Sequence, residues 1–114
     1  MLVWFVNLYH AFLAWFSPRG KVLVRNGDTL PSTLPKYDFI LLKDDGEDWS
    51  VGFRCPCGCG DAVELLLLPN VRPRWDIKIN SSGYPTLTPS VWRATGCRSH
   101  FWVRDGRILW VNEG

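Results

Sequence analysis

Every cysteine of the chain lies in one of two short stretches, Cys55-Pro56-Cys57-Gly58-Cys59-Gly60 and Gly96-Cys97-Arg98-Ser99-His100. No other feature narrows the possible folds as much. A closed structural zinc site takes four thiolate or imidazole ligands brought in from two tight turns. The glycines and Pro56 supply the permissive and the fixed backbone dihedrals such turns need. Cys97-x-x-His100 is a good half-site, whereas Cys-x-Cys-x-Cys is less standard. The pattern therefore predicts zinc on four of the five residues Cys55, Cys57, Cys59, Cys97 and His100, and leaves open which one is spare. Disulfides are the competing reading and would need an oxidising compartment. Cysteines as close together as 55, 57 and 59 pair poorly with one another, and joining Cys97 to one of them would leave two over. Iron, or an iron–sulfur cluster, suits the same ligand types.

A chain of 114 residues has room for one domain, 1–114, with one modest core. Its 46% apolar and 21% charged content excludes disorder. The seven tryptophans imply an aromatic core or an exposed recognition surface. A net charge of +2 is too small to indicate nucleic acid. Arginines from Arg54 to Arg107 fill the second half, while residues 44–48 are acidic, as a solvated surface or an acidic partner would require.

Residues 2–16 are the most apolar run and predict an N-terminal helix, with Asn7 and His10 on one side of it. The run is too short to cross a bilayer and lacks the basic start and cleavage site of a secretory signal, so a membrane partner is not expected. A helix apolar nearly all round must be covered, either by the domain's own sheet or by docking on a partner chain. His10 reads as a helix-face residue, not as a ligand or base. Ser17-Pro18-Arg19-Gly20 ends the helix.

Strands follow. A weak one spans 21–25, with Asn26-Gly27 as a turn signal. A buried strand spans 37–43 and returns through 49–54 with Trp49, Val51 and Phe53 on one face. Residues 62–68 form an apolar run broken only by Glu64, which predicts a strand covered on both faces. The alternating stretch 75–79 pairs with 84–88, after which Pro89-Ser90-Val91-Trp92 leads toward Cys97. Asp105-Gly106 is a type I′ turn signal, so Arg104 should pair with Arg107, Val103 with Ile108, Trp102 with Leu109 and Phe101 with Trp110. That register puts Phe101, Val103, Ile108 and Trp110 in the core. His100, Trp102, Arg104 and Arg107 take the other face, where Trp102, Arg104 and Arg107 form a binding surface or a soluble edge. The expected fold is mainly β (α+β): antiparallel hairpins around a zinc-stapled core, with one N-terminal helix.

The ordered motifs Phe53-Arg54-Cys55-Pro56-Cys57-Gly58-Cys59-Gly60, Arg72-Pro73-Arg74-Trp75, Leu87-Thr88-Pro89-Ser90-Val91-Trp92 and Gly96-Cys97-Arg98-Ser99-His100-Phe101-Trp102-Val103-Arg104-Asp105-Gly106-Arg107-Ile108 resemble a family of small bacterial metal-binding proteins. Its members are encoded beside ubiquitin-like proteins and relatives of ubiquitin-activating and ubiquitin-conjugating enzymes. The resemblance covers residues 50–111 and implies a cytoplasmic protein of a ubiquitin-like modification pathway, with the ubiquitin-like protein or its activating or conjugating enzymes as partners. It supplies no chemistry, which must be argued from the site.

Two functions fit. In the first, zinc fixes the hairpins so that tryptophans and arginines present a rigid surface to a ubiquitin-like protein or its conjugating enzyme. The second is a peptidase that processes or removes the ubiquitin-like tag. Three protein ligands would leave a metal-bound water as nucleophile, with Glu64, Asp61 or Asp76 as acid or base. Alternatively, Ser90 or Ser99 attacks with His100 as base, a use that competes with metal ligation. A spare thiol acidified beside the metal is a further nucleophile, or an alternate ligand.

Overall fold

The structure is a computed structural model that describes residues 19–93 and 96–111. Its strands form two four-stranded sheets, each in chain order. The first contains β1 (Val22–Asn26), β2 (Phe39–Asp44), β3 (Glu47–Arg54) and β4 (Ala62–Leu66); the second contains β5 (Asp76–Ile79), β6 (Pro85–Trp92), β7 (His100–Arg104) and β8 (Arg107–Trp110). Neighbouring strands are antiparallel except β1 and β2, which run parallel.

Alternation along the strands builds the core between the sheets. Phe39, Leu41, Val51, Phe53, Val63 and Leu65 of the first sheet meet Leu87, Val91, Phe101 and Val103 of the second in one buried cluster. The Phe53 ring bridges the layers, with ring centroids 4.9 Å from Phe39 and 6.1 Å from Phe101. Burying side chains of this kind stabilises by roughly 1.5–3 kcal/mol each.

The first sheet is covered on its outer face as well. Ile40 and Leu42 pack there with Leu34, flanked by Leu23, Leu30 and Trp49. This second layer explains why β2 carries four consecutive buried residues, Phe39 to Leu42. Leu30 lies so close over Gly52 that a Cβ at that position would collide with its side chain. The segment 19–22 ties the two sheets together: Gly20 and Val22 donate N–H bonds to the carbonyls of Gly106 and Gly83, at 3.0 and 2.9 Å, and the carbonyl of Lys21 accepts from Phe39 N–H at 2.9 Å.

Several sequence expectations are corrected. The α+β class gives way to an all-β arrangement among the described residues, where there is no helix; the predicted helix at 2–16 lies outside them. The hairpins are joined by a parallel β1–β2 pair, because the chain between 27 and 38 returns over the outer face before β2 begins. The core is a two-sheet apolar interior with the cysteines at its margin, Cys55 alone being buried in it. Trp49 does not share a face with Val51 and Phe53, since the register shifts between Leu42 and Lys43, leaving Trp49 as the extra residue of a bulge that packs against the outer cluster. Residues 62–66 form an edge strand covered on one face, with Val63 and Leu65 inward. The last hairpin has the expected register, but Trp110 is 53% exposed and meets the core by an edge contact with Phe101 at 5.6 Å. Pro89 to Trp92 belong to β6 and do not form a connecting loop.

Candidate functional site

The β3 strand runs directly into Cys55, and the turn after it is closed by bonds from Cys55 N–H to the Asp61 carbonyl (2.9 Å) and from Gly58 N–H to the Cys55 carbonyl (3.2 Å). Gly58 has φ 88°, a left-handed conformation that glycine adopts without a Cβ penalty. The other half arrives from the second sheet, where Arg98 takes φ 55° between Cys97 and Ser99. The sulfurs of Cys55, Cys57, Cys59 and Cys97 all lie within 4.8 Å of one another, and the group can hold a metal ion. Cys55 Sγ is 3.4 Å from Cys57 Sγ and 3.6 Å from Cys97 Sγ.

Several donors surround these sulfurs. Cys59 N–H points at Cys57 Sγ (3.3 Å), and Arg93 Nη1 points at Cys97 Sγ (3.3 Å) and Cys59 Sγ (3.5 Å). Arg93 Nη2 is paired with Asp61 at 3.1 Å. Ser99 Oγ lies 3.0 Å from Cys97 Sγ, and this contact, followed by the Ser99 backbone, holds the Cys97 thiol down to about 6. Donors aimed at sulfur favour the thiolate, the form that ligates metal. In return, the Cys55 thiol and the Asp61 carboxylate push the Arg93 pKa up, so the guanidinium stays charged.

A second group lies on the outer face of the second sheet. The ladder between β6 and β7 is interrupted between Leu87 and Val91, which oppose Val103 and Phe101, so three residues of β6 stand against one of β7. This bulge carries Ser90. Its Oγ lies 2.8 Å from Nε2 of His100 on the neighbouring strand. Bulges commonly re-aim a side chain in this way. Trp92 is paired with His100 across the ladder, is 63% exposed, and stacks on the imidazole with ring centroids 5.9 Å apart. The Trp75 indole N–H reaches the Ser90 carbonyl at 3.4 Å.

A family model described as "Bacterial ubiquitination-like system serine protease (BubE)" matches residues 26–111. The chain belongs to this family. The chain thereby falls within a bacterial ubiquitination-like system, whose components are its expected partners. No curated protein and no solved structure matches. Among the described residues no helix is long and apolar enough to cross a membrane.

The residues singled out from the sequence separate into distinct places. The four cysteines converge, and His100 stands outside their cluster, against Ser90. Ser99 serves the Cys97 sulfur. Glu64 accepts a 2.7 Å bond from the buried Ser50 hydroxyl and sits between the inward-facing Val63 and Leu65, so it belongs to the opposite face of its sheet. Asp61 is tied to Arg93, and Asp76 to Arg74 at 2.9 Å. Arg104 packs over the Trp102 ring at 5.1 Å, and Arg107 pairs with Arg104 across the hairpin. The roles of Arg93, Trp75 and Trp92 could not be read from spacing, because their partners come from other strands. The available signal was position: Trp92 and Arg93 directly follow Pro89-Ser90-Val91.

Proposed function

We propose that this protein is a serine peptidase of the ubiquitination-like system, cutting after the C-terminal tail of the ubiquitin-like protein to process or remove it. The Ser90 Oγ to His100 Nε2 distance of 2.8 Å carries this reading, and the description of the matched family supports it. For Ser90 to donate to Nε2, the neutral imidazole must carry its proton on Nδ1. Ser90 Oγ then bonds to the scissile carbonyl carbon as its proton passes to Nε2. The C–N bond breaks, and His100 returns that proton to the leaving amine. Water next attacks the acyl ester, giving its proton to His100, and the acid product leaves with Ser90 Oγ–H restored.

On this reading the metal is structural. Zinc held at about 2.3 Å by four thiolates spaces the sulfurs about 3.8 Å apart, close to the 3.4 and 3.6 Å seen here. Cys55, Cys57, Cys59 and Cys97 would fill four places, which puts His100 outside the ligand set and leaves no coordination site for a hydrolytic water. Bound zinc would lock the end of β3 to the turn preceding β7, and so the strand that bears His100. Arg93 would offset part of the negative charge of four thiolates around a divalent ion.

The reading is tested by incubating the protein with the ubiquitin-like protein extended by a short C-terminal peptide and following the mass. Wild-type protein should release the peptide, and Ser90→Ala and His100→Ala should not. Release at the wild-type rate by Ser90→Ala would overturn the assignment. The alternative in which the protein only presents a surface predicts an unchanged mass throughout.

A further inference from the structure

The hydrogen-bond parity of the second sheet locates an open backbone edge beside Ser90. Arg93 N–H bonds to the Ser99 carbonyl at 2.8 Å, and Val111 N–H to the His100 carbonyl at 2.9 Å. In an antiparallel ladder, bonded and non-bonded pairs alternate. The first bond therefore makes Val91 and Phe101 a bonded pair and Trp92 and His100 a non-bonded one. The second bond agrees, because it turns the His100 backbone toward β8. The N–H and C=O of Trp92 consequently point away from β7, toward the side on which β5 lies. The pairing of β5 ends at Asp76 opposite Thr88. Immediately before it the chain has left this sheet, since Trp75 N–H bonds to the Leu66 carbonyl of β4's terminal residue at 2.9 Å. Among the described residues, no strand lies beside Trp92 on that side.

We propose that this edge takes an extended peptide as an added strand, the Trp92 N–H and C=O pairing with the main chain of the substrate tail and laying the scissile carbonyl beside Ser90. The inference rests on the peptidase reading for the identity of the tail, and names how that tail is held. An N–H and C=O of one residue that find no strand partner among the described residues are matched by one residue of extended polypeptide, in the manner of strand addition at a sheet edge. The site then selects an unfolded tail rather than a folded surface, and reads main chain at alternate residues. The Trp92 ring, stacked on His100 on the outer face, closes the site from above, and the Trp75 indole, bonded to the Ser90 carbonyl at 3.4 Å, bounds the edge toward β5.

The test uses the full chain carrying Ser90→Ala, which binds without cutting, and fluorescent peptides matching the C-terminal tail of the ubiquitin-like protein. Each peptide is N-methylated at one successive backbone nitrogen, which removes a donor and blocks pairing there. Binding should weaken about tenfold when the residue opposite Trp92 is methylated and change little at its two neighbours. Trp92→Ala, which keeps the backbone N–H, should preserve that alternation. Equal effects at all positions, no effect at any, or no binding would overturn the proposal, as would sedimentation as a dimer whose edge a second copy occupies. Cleavage by the wild-type protein is scored separately. Alternation without cleavage would reject the peptidase and keep the docking edge, whereas cleavage without alternation would do the reverse.

Discussion

The two sheets have equal strand numbers and share one core, yet their outer faces differ. On the first sheet, Leu30, Leu34 and Trp49 cover Ile40 and Leu42, and even the glycine in the middle of β3 is closely overlaid. The outer face of the second sheet holds Ser90, Trp92, His100 and Trp102, exposed or half-buried. A face whose apolar residues are covered contributes to stability. One whose polar groups meet across a bulge can contribute chemistry, at some cost to burial. The thiol cluster lies between them, taking three cysteines from the end of β3 and one from the turn before β7.

Substitutions on the two faces should therefore separate activity from stability. The largest effect is expected for Ser90→Ala, which should lower the cleavage rate by about 10⁴-fold or more while leaving metal content and thermal unfolding unchanged; mass spectrometry, metal analysis and a melting curve measure all three. The next contrast sets Cys97→Ala against His100→Ala. Cys97→Ala should lose the metal and with it much of the fold, since a structural site can be worth on the order of 10 kcal/mol. His100→Ala should retain the metal and lose activity. Equal metal loss in both variants would return His100 to the ligand set.

Smaller effects sharpen the same contrast. Leu42, 1% exposed beneath the covered face, should cost about 2–5 kcal/mol as Leu42→Ala in denaturant unfolding, from lost transfer energy plus a cavity. Gly52→Ala should cost about 1–3 kcal/mol by displacing Leu30. Trp92→Ala on the open face should change stability by no more than about 0.5 kcal/mol, yet reduce cleavage because the ring no longer shields His100. A Trp92→Ala protein as destabilised as Leu42→Ala would mean that the two faces are alike after all.

Local signals account for what could be read in advance. Two-residue periodicity and the Asp105-Gly106 turn determine the register of the last hairpin residue by residue, because turn geometry and alternation act over a few bonds. The four cysteines likewise announce a metal-binding group by their chemistry alone, since softness and charge belong to the side chain. Alternation misplaces Trp49 and Trp110 for the opposite reason. A bulge shifts the parity of β3, and alternation on β8 does not reveal where the covering layer stops.

The sequence by itself determined the ligand types, the strands and several turns, all of which depend on neighbours within a few residues. It left His100 divided between a metal and a serine, because both uses satisfy the same local spacing. Only the tertiary structure sets the two uses apart in space: pairing β6 with β7 puts Ser90 against Nε2 of His100, while the turn after β3 brings three thiols to Cys97. These are contacts between segments far apart in the chain, and the forces that choose them are the burial of Val91 and Phe101 and the ladder between their strands, which no local pattern encodes.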